Sequence, residues 1–405
     1  MPMLPFIRQS ITVKTMWLYI NRKPLPLMNN TTPLTVQAIL LLQSYIKQLG
    51  FTPVIHFELE GCYQLDSKIK KFSLDYQKIN RQLVHAGIDG ELVPEYWNSQ
   101  WEYVSLFNGQ SPLKEAENLS RAIKFLPRLF AEQGISKTLI KPVVWSGDKG
   151  KLASGSGDIF TTETRAVHIP NAVQMNISAI DSTGKNIIVE RGFGEYLQQC
   201  FLDTSLNCCL IYLPEEEAFE RLALKSKYGL AAELCSPIDI SGGHQGSIAL
   251  YKEVGKHNQA MGEEPLLYDH NNKVLVKQQN WQKTARIEHR IGASSMQYNA
   301  YFNIIYSLLN LIDALEVYNS DNCRRLLRKE VHQQNLPSSL YDNTLTKCLG
   351  AISLFDNDHW FSERLNKLFT CSYGEQISGQ LLLGDKIKQM ILAPYQQKLI
   401  LTHTS

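Results

Sequence analysis

The sequence predicts an α+β fold on three observations. Helical and strand periodicities alternate through the first third of the chain, a tight Gly-Lys turn joins two extended segments near its middle, and the last part is helical almost throughout. With 405 residues, 44% hydrophobic and 20% charged, the chain can form one large elaborated domain or two or three ordinary ones, with a sizeable core.

Residues 1–32 carry Pro2, Pro5, Pro24 and Pro26 around a β-rich piece at 11–20, and read as an arm or edge strand. Apolar residues at Val36, Ile39, Leu40, Tyr45, Ile46 and Leu49 recur at helical spacing, and Gly50 is a stop. The next segment, 51–65, begins β-branched and alternating, so it predicts a strand with Val54, His56, Glu58 and Glu60 on one face. A helix over 74–87, a strand over 92–105 interrupted by a turn at Asn98-Ser99, and an amphipathic helix over 112–134 follow.

Residues 146–162, rich in Gly, Ser, Lys and Asp, read as a mobile loop. Strands are expected at 173–180 and 186–190, joined as a hairpin by Ser182-Thr183-Gly184-Lys185. A Gly-rich break at 240–246 and a polar stretch at 255–279 precede a strand at 286–291 and a helix over about 299–316. Beyond Asp321 the pattern is helical, with Pro337 as a helix start.

Composition excludes several classes of function. With 41 basic and 39 acidic residues the formal charge is +2, and no basic stripe with interleaved aromatics offers a nucleic-acid surface. No apolar run reaches the roughly 20 residues of a membrane span, and the N-terminus lacks the pattern of a secretory leader, so neither a membrane nor leader-directed export is expected. The eight cysteines form no CxxC pair and sit among apolar neighbours, as reduced buried thiols of a cytoplasmic protein, with Cys208 and Cys209 read as strand residues.

Binding must therefore come from a local site. Glu58 and Glu60 stand about 7 Å apart along one strand face, a spacing that repulsion makes costly unless a cation lies between them. Read alone, the pair also fits an exposed sheet face. Glu95 and Glu102 bracket a turn that could aim both at one point, and Arg286, Glu288 and Arg290 share a face of a later strand. That last trio alone fits a salt-bridge ladder. Together, five acids and two arginines are the side chains that Mg²⁺ or Mn²⁺ and the phosphates of ATP require.

The order and spacing of these blocks resemble glutamine synthetase. Leu49-Gly50-Phe51-Thr52-Pro53 before His56-Phe57-Glu58-Leu59-Glu60 resembles the helix-to-strand run that carries that family's metal ligands. Ala86-Gly87-Ile88-Asp89 and the segment from Glu95 through Gln100 to Glu102 resemble its next acidic pair. The turn Gly184-Lys185-Asn186, the block from Arg286 to Arg290 with Gly292-Ala293-Ser294-Ser295, and Leu336-Pro337-Ser338-Ser339-Leu340 follow in family order.

The resemblance implies a curved antiparallel sheet flanked by helices over 35–320, after an arm at 1–34 and before a helical C-terminal region at 321–405. It also implies a ligase that makes an acyl phosphate from a carboxylate and ATP and then an amide, in γ-glutamyl-type chemistry with a non-standard substrate, acting on a small-molecule carboxylate and an amine. Glu60, Glu95 and Glu102 would hold one metal, and Glu58, Glu288 and Gln174 the other. Arg290 would stabilise the transferred phosphoryl group or the substrate carboxylate, with Arg286 as the second catalytic arginine.

Four departures matter. Gln174 and Asn176 stand where the family has histidines, although both also fit hairpin-face polars. The region of the family's Asn-Arg-Ser segment, 242–247, has no arginine, leaving His244 and Lys252 as substitutes, although 242–246 also reads as a plain glycine-rich turn. Arg221 resembles an arginine that holds the substrate carboxylate, and equally a helix-surface arginine. Only 57 residues precede Glu58, too few for the family's N-terminal β-grasp domain, so a homo-oligomer is allowed but the double ring is not implied. Catalytic impairment with a regulatory role is the alternative. A glutamate–cysteine ligase or guanidino kinase stands behind these, the latter lacking its reactive cysteine in a polar loop.

Overall fold

The computed structural model describes residues 33–65, 72–95, 99–106, 108–146, 167–190, 192–228, 247–252, 263–264, 267–268, 274–276, 279–320, 336–373 and 382–402. The N-terminal arm, the loop at 147–162 and the glycine break containing His244 lie outside them.

Helix α1 (Leu34–Gln48) ends at Gly50, whose φ of 93° supplies the left-handed turn into strand β1 (Phe51–Gln64). Then come α2 (Tyr76–His85), β2 (Gly90–Pro94), β3 (Gln100–Ser105) and α3 (Pro112–Ala131). Their starts are chemical: Asp75 and Ser111 accept from the backbone N–H three residues on, and Pro112 occupies the first helical turn. Short strands β4 (Lys137–Leu139), β5 (Val143–Ser146) and β6 (Val167–Pro170) lead to β7 (Val173–Asp181).

Helices α4 (Phe193–Ser205), α5 (Cys209–Tyr212) and α6 (Glu216–Tyr228) precede β8 (Ile248–Tyr251). Strand β9 (Glu263–Glu264) pairs with β12 (Gln279–Asn280), and β10 (Leu267–Tyr268) with β11 (Val274–Val276). Strand β13 (Arg286–His289) leads to α7 (Ala300–Asn319), capped by Asn299, and then to α8 (Ala351–Asn357), α9 (Trp360–Tyr373) and α10 (Leu383–Thr402).

The expected antiparallel sheet is present, seven-stranded in the order β2-β3-β1-β7-β13-β8 with β4 also on β1. Register fixes its two faces. Phe57, Leu59, Trp101, Met175 and Ile287 project to one side, where α1, α3 and α7 pack on β1 and α4 on β13 and β8. Gly61 permits this packing, since a Cβ there would lie 2.3 Å from the Trp101 ring. Side chains one residue out of phase form the opposite, polar face. The sheet edges are closed by amides: Asn80 of α2 exchanges two hydrogen bonds with Leu92 of β2 (3.1 and 2.7 Å), and Gln198 of α4 donates to Ile248 O of β8 (2.6 Å).

Helix α7 is long and apolar enough for a membrane span by length and composition, but 72% of that stretch is buried in the core. The C-terminal helices join the same hydrophobic cluster. Arg364 of α9 bonds Asp313 (2.5 Å) and Glu316 (2.7 Å) of α7, and α10 packs on α1.

Three local expectations are corrected. Residues 186–190 do not form a strand. Only a single bridge pairs Ile180 with Asn186, and the chain then enters a 3₁₀ turn at Ile187–Val189 because the Asn186 side chain captures the Ile188 N–H. Pro337 begins no helix; 336–350 is turns and one bridge, and α8 starts after Gly350. Cys208 and Cys209 are buried as expected, but in the start of α5 rather than in a strand.

Candidate functional site

The polar sheet face gathers most of the acids singled out by sequence. Glu60 and Glu102 stand opposite each other across β1 and β3, and Glu58 faces Gln174 across β1 and β7. Glu288 lies beyond them, opposite Asn176 across β7 and β13. Glu95 follows β2, and its N–H donates to Gln100 O (3.2 Å), which closes the hairpin toward Glu102.

These residues form two chemically different groups. In the first, Glu60 Oε2 accepts from Ala172 N–H (2.8 Å) and Oε1 from the Gln174 amide (3.2 Å). Burial, reinforced by the charge of Glu95, pushes the Glu60 carboxyl up to about 7, against the lowering effects of the Ala172 N–H, Arg221 and Gln174. The other end of that amide, Gln174 Oε1, is buried with no hydrogen-bond partner among the described residues. The Gln174 amide therefore bonds Glu60, while the resemblance groups Gln174 with Glu58, its neighbour in register, and Glu288.

In the second group, Asn176 donates to Glu58 Oε1 (2.9 Å) and accepts from Arg286 Nε. Arg286 Nη2 also bonds Glu288 Oε2 (2.7 Å), and its guanidinium lies 4.4 Å from the Tyr251 ring centre. The remaining Glu288 oxygen is approached by Arg290 Nε (3.6 Å) and the Tyr251 hydroxyl (3.5 Å). Among the described residues, two carboxylates and two guanidinium groups share this part of the face.

Arg221 of α6 is not a surface residue. It is 2% exposed and donates to Ile291 O (3.2 Å) and Arg290 O (3.5 Å), holding the strap that follows β13. His289, between Glu288 and Arg290, points to the other face. Phe201, Tyr212 and Tyr306 surround its ring, and burial pushes its pKa down to about 3, so it is a neutral core residue. As the side chains stand, no three Asp, Glu, His or Cys among the described residues are close enough together to hold one metal ion.

Sequence reasoning missed one participant in the site and one buried pair elsewhere. Tyr251 ends β8, and the short apolar run after the glycine break could have marked a strand, though not its partner. The other is a buried pair, His56 Nδ1 and Glu115 Oε1, 3.5 Å apart, which no local pattern announces.

No family model matches the sequence, and no curated protein matches it. The structure is similar to the crystal structure of a novel glutamine synthase homolog, with a TM-score of 0.52 at 15% identity, covering 88% of this chain and 74% of that one. The fold is glutamine synthetase-like. A GmaS/ADP complex is also similar, with a TM-score of 0.50 at 11% identity over 90% of this chain and 74% of that one. At these identities the similarity concerns the glutamine synthetase-like fold, and the site must be argued from its own residues.

Proposed function

We propose that this protein is an ATP-dependent carbon–nitrogen ligase that uses Mg²⁺ or Mn²⁺ and joins a small carboxylate to an amine, in γ-glutamyl-type chemistry with a non-standard substrate. The observation that carries the reading is Glu60, a carboxyl lifted to about 7 by burial and by Glu95, directly across from Glu102 on the polar face of this fold. Acids crowded together in this way gain from a divalent cation. ADP in one similar structure supports a nucleotide substrate here.

The first group supplies oxygen donors of the kind a divalent cation takes, although its side chains as they stand do not converge on one ion. Glu60, Glu95 and Glu102 would hold it, with the buried Gln174 Oε1 as a neutral fourth donor. When bound, it would offset the charge of the ATP phosphates. Arg290, beside Glu288 and steadied through its carbonyl by Arg221, would meet the transferred phosphoryl group, with Arg286 as a fixed positive charge behind it. Arg221 would also add positive potential at the substrate carboxylate, and His244, outside the described residues, is a further proposed substrate contact. The substrate carboxylate oxygen would bond the terminal phosphorus as ADP leaves, and the amine nitrogen would then displace phosphate from the acyl carbon. A cytoplasmic setting, where ATP is abundant, suits this reaction, and self-association is compatible with it.

Phosphate release from ATP with Mg²⁺ or Mn²⁺ and a panel of carboxylates and amines is the test. Metal-dependent turnover that Glu60→Gln abolishes supports the ligase. Absence of turnover, with both proteins alike, supports the second reading, a non-catalytic relative. That reading is favoured by one observation: Asn176 and Arg286 already occupy the oxygens of Glu58 and Glu288.

A further inference from the structure

A cavity of about 410 Å³ opens on the helical side of the sheet, between α4, α7 and the junction of α8 with α9, and no residue of the polar face lines it. Helical spacing builds it. Tyr196, Cys200 and Thr204 recur every four residues along α4, and Asp313, Glu316 and Val317 share a face of α7, so the two helices border one space. Trp360, at the start of α9, closes a side, its indole fixed by a bond to Asp313 Oδ2 (3.0 Å) and an edge contact with Tyr306 at 6.2 Å. The Cys208 thiol borders the same space, fully buried and with no hydrogen-bond partner among the described residues.

The lining is acidic, and its charge exceeds what the described residues offset. Asp313 and Glu316 share one guanidinium, that of Arg364. Asp358 is met by neutral donors, the Asn207 amide (3.2 Å) and the Phe361 N–H (3.5 Å). Asp203 adds a fourth carboxylate, and no Lys, Arg or His among the described residues lines the cavity. The crowding shows at Asp313, whose carboxyl is raised by burial and by the charge of Glu316 against the pull of Arg364. A carboxylate oxygen that already accepts one N–H keeps a second lone pair for another donor. Asp313 and Glu316 are 28% and 33% exposed, so the space communicates with solvent on their side.

We infer that this cavity is a binding site for a small organic ammonium ion, a protonated amine with an apolar body. The ammonium would donate to the carboxylates, and the body would lie against Tyr196 and Trp360, whose ring faces attract cations. A bare inorganic ion would leave most of the volume unfilled, and a neutral or anionic molecule would leave the excess charge uncompensated. The site stands apart from the proposed ligase activity, because none of its residues belongs to the polar face.

Isothermal titration calorimetry of the full chain with phenethylammonium chloride at neutral pH should show saturable binding. Phenethyl alcohol, with the same body and no charge, should bind about tenfold more weakly. Hydrogen exchange of the parent chain should slow in α4 and in the C-terminal half of α7 when the amine is added. Val317→Trp, which fills the cavity, should remove the binding. Asp358→Asn, which deletes one charge and keeps an acceptor for the Phe361 N–H, should weaken it about tenfold. The exchange map requires no variant and decides the matter if Val317→Trp does not fold. No saturable binding, or an alcohol that binds as tightly as the amine, overturns the inference. So does slowing on β1 and β7 in place of α4 and α7, which would put the amine on the polar face and favour the proposed ligase instead.

Discussion

Replacing Glu60 by Gln should stabilise the protein at neutral and alkaline pH and leave it nearly unchanged in acid. The carboxyl is lifted from an ordinary 4.5 to about 7 in the folded chain. Between those values the folded state holds a proton that the unfolded state has released, so unfolding free energy falls as pH rises, and the full penalty is present above about 7. At about 1.4 kcal/mol per pH unit, the ceiling is roughly 3 kcal/mol. Gln can keep the Ala172 bond through its oxygen, and the Gln174 amide can flip to accept from its nitrogen. Urea unfolding, followed by the fluorescence of the six tryptophans from pH 4.5 to 8, gives the two curves. Their difference should grow from near zero to about 2–3 kcal/mol in favour of Gln. Parallel curves would refute the argument, because other titrating groups cancel in the comparison. Added Mn²⁺ should reverse the order at pH 8 by stabilising only the parent.

Arg364→Met removes the charge partner of the half-exposed Asp313 and Glu316 at the α7–α9 contact and should cost about 1–3 kcal/mol by calorimetry. Burial already raises the Asp313 pKa, and without Arg364 it should rise further, so the loss should deepen as pH increases from 4 to 7. Asn80→Ala leaves the edge groups of Leu92 without their amide and should cost about 1–3 kcal/mol, with faster exchange of the Leu92 N–H by mass spectrometry. Gly61→Ala should cost about 1–3 kcal/mol in chemical denaturation, because Trp101 is held against Phe130 at 5.3 Å and cannot swing away. Iodoacetamide on the native protein should label exposed Cys348 and spare buried Cys62, Cys208 and Cys209, as read by peptide mapping.

Much of this architecture could be read from residue order because its elements follow periods of two or 3.6. Strand β1 shows why: alternation placed Glu58 and Glu60 on one face and Phe57 and Leu59 on the other, and the register agrees. Helices α1, α3 and α7 were legible from their apolar spacing and their end signals. What escaped prediction depends on contacts remote in sequence. Asn186 leaves the hairpin because its side chain also reaches Lys283 and Ala285 carbonyls. The partition of Gln174 and Asn176 between Glu60 and Glu58 depends on rotamers that strand periodicity does not encode. Arg221 could be read equally as a surface residue because its partners, Arg290 and Ile291, lie on another element.

The packing of α10 on α1 has a consequence for how the chain is made. At about 5–20 residues per second, a ribosome takes roughly 20–70 s to travel from Leu34 to Leu383. Throughout that interval the apolar stripe of α1 lacks one of its neighbours, and the central sheet waits as well, since β1 pairs with β7 and β7 with β13. Such distant pairings make folding slow. The nascent chain therefore spends tens of seconds with sticky surface uncovered, and its yield in a cell should depend on chaperone protection during synthesis as much as on the stability of the finished molecule.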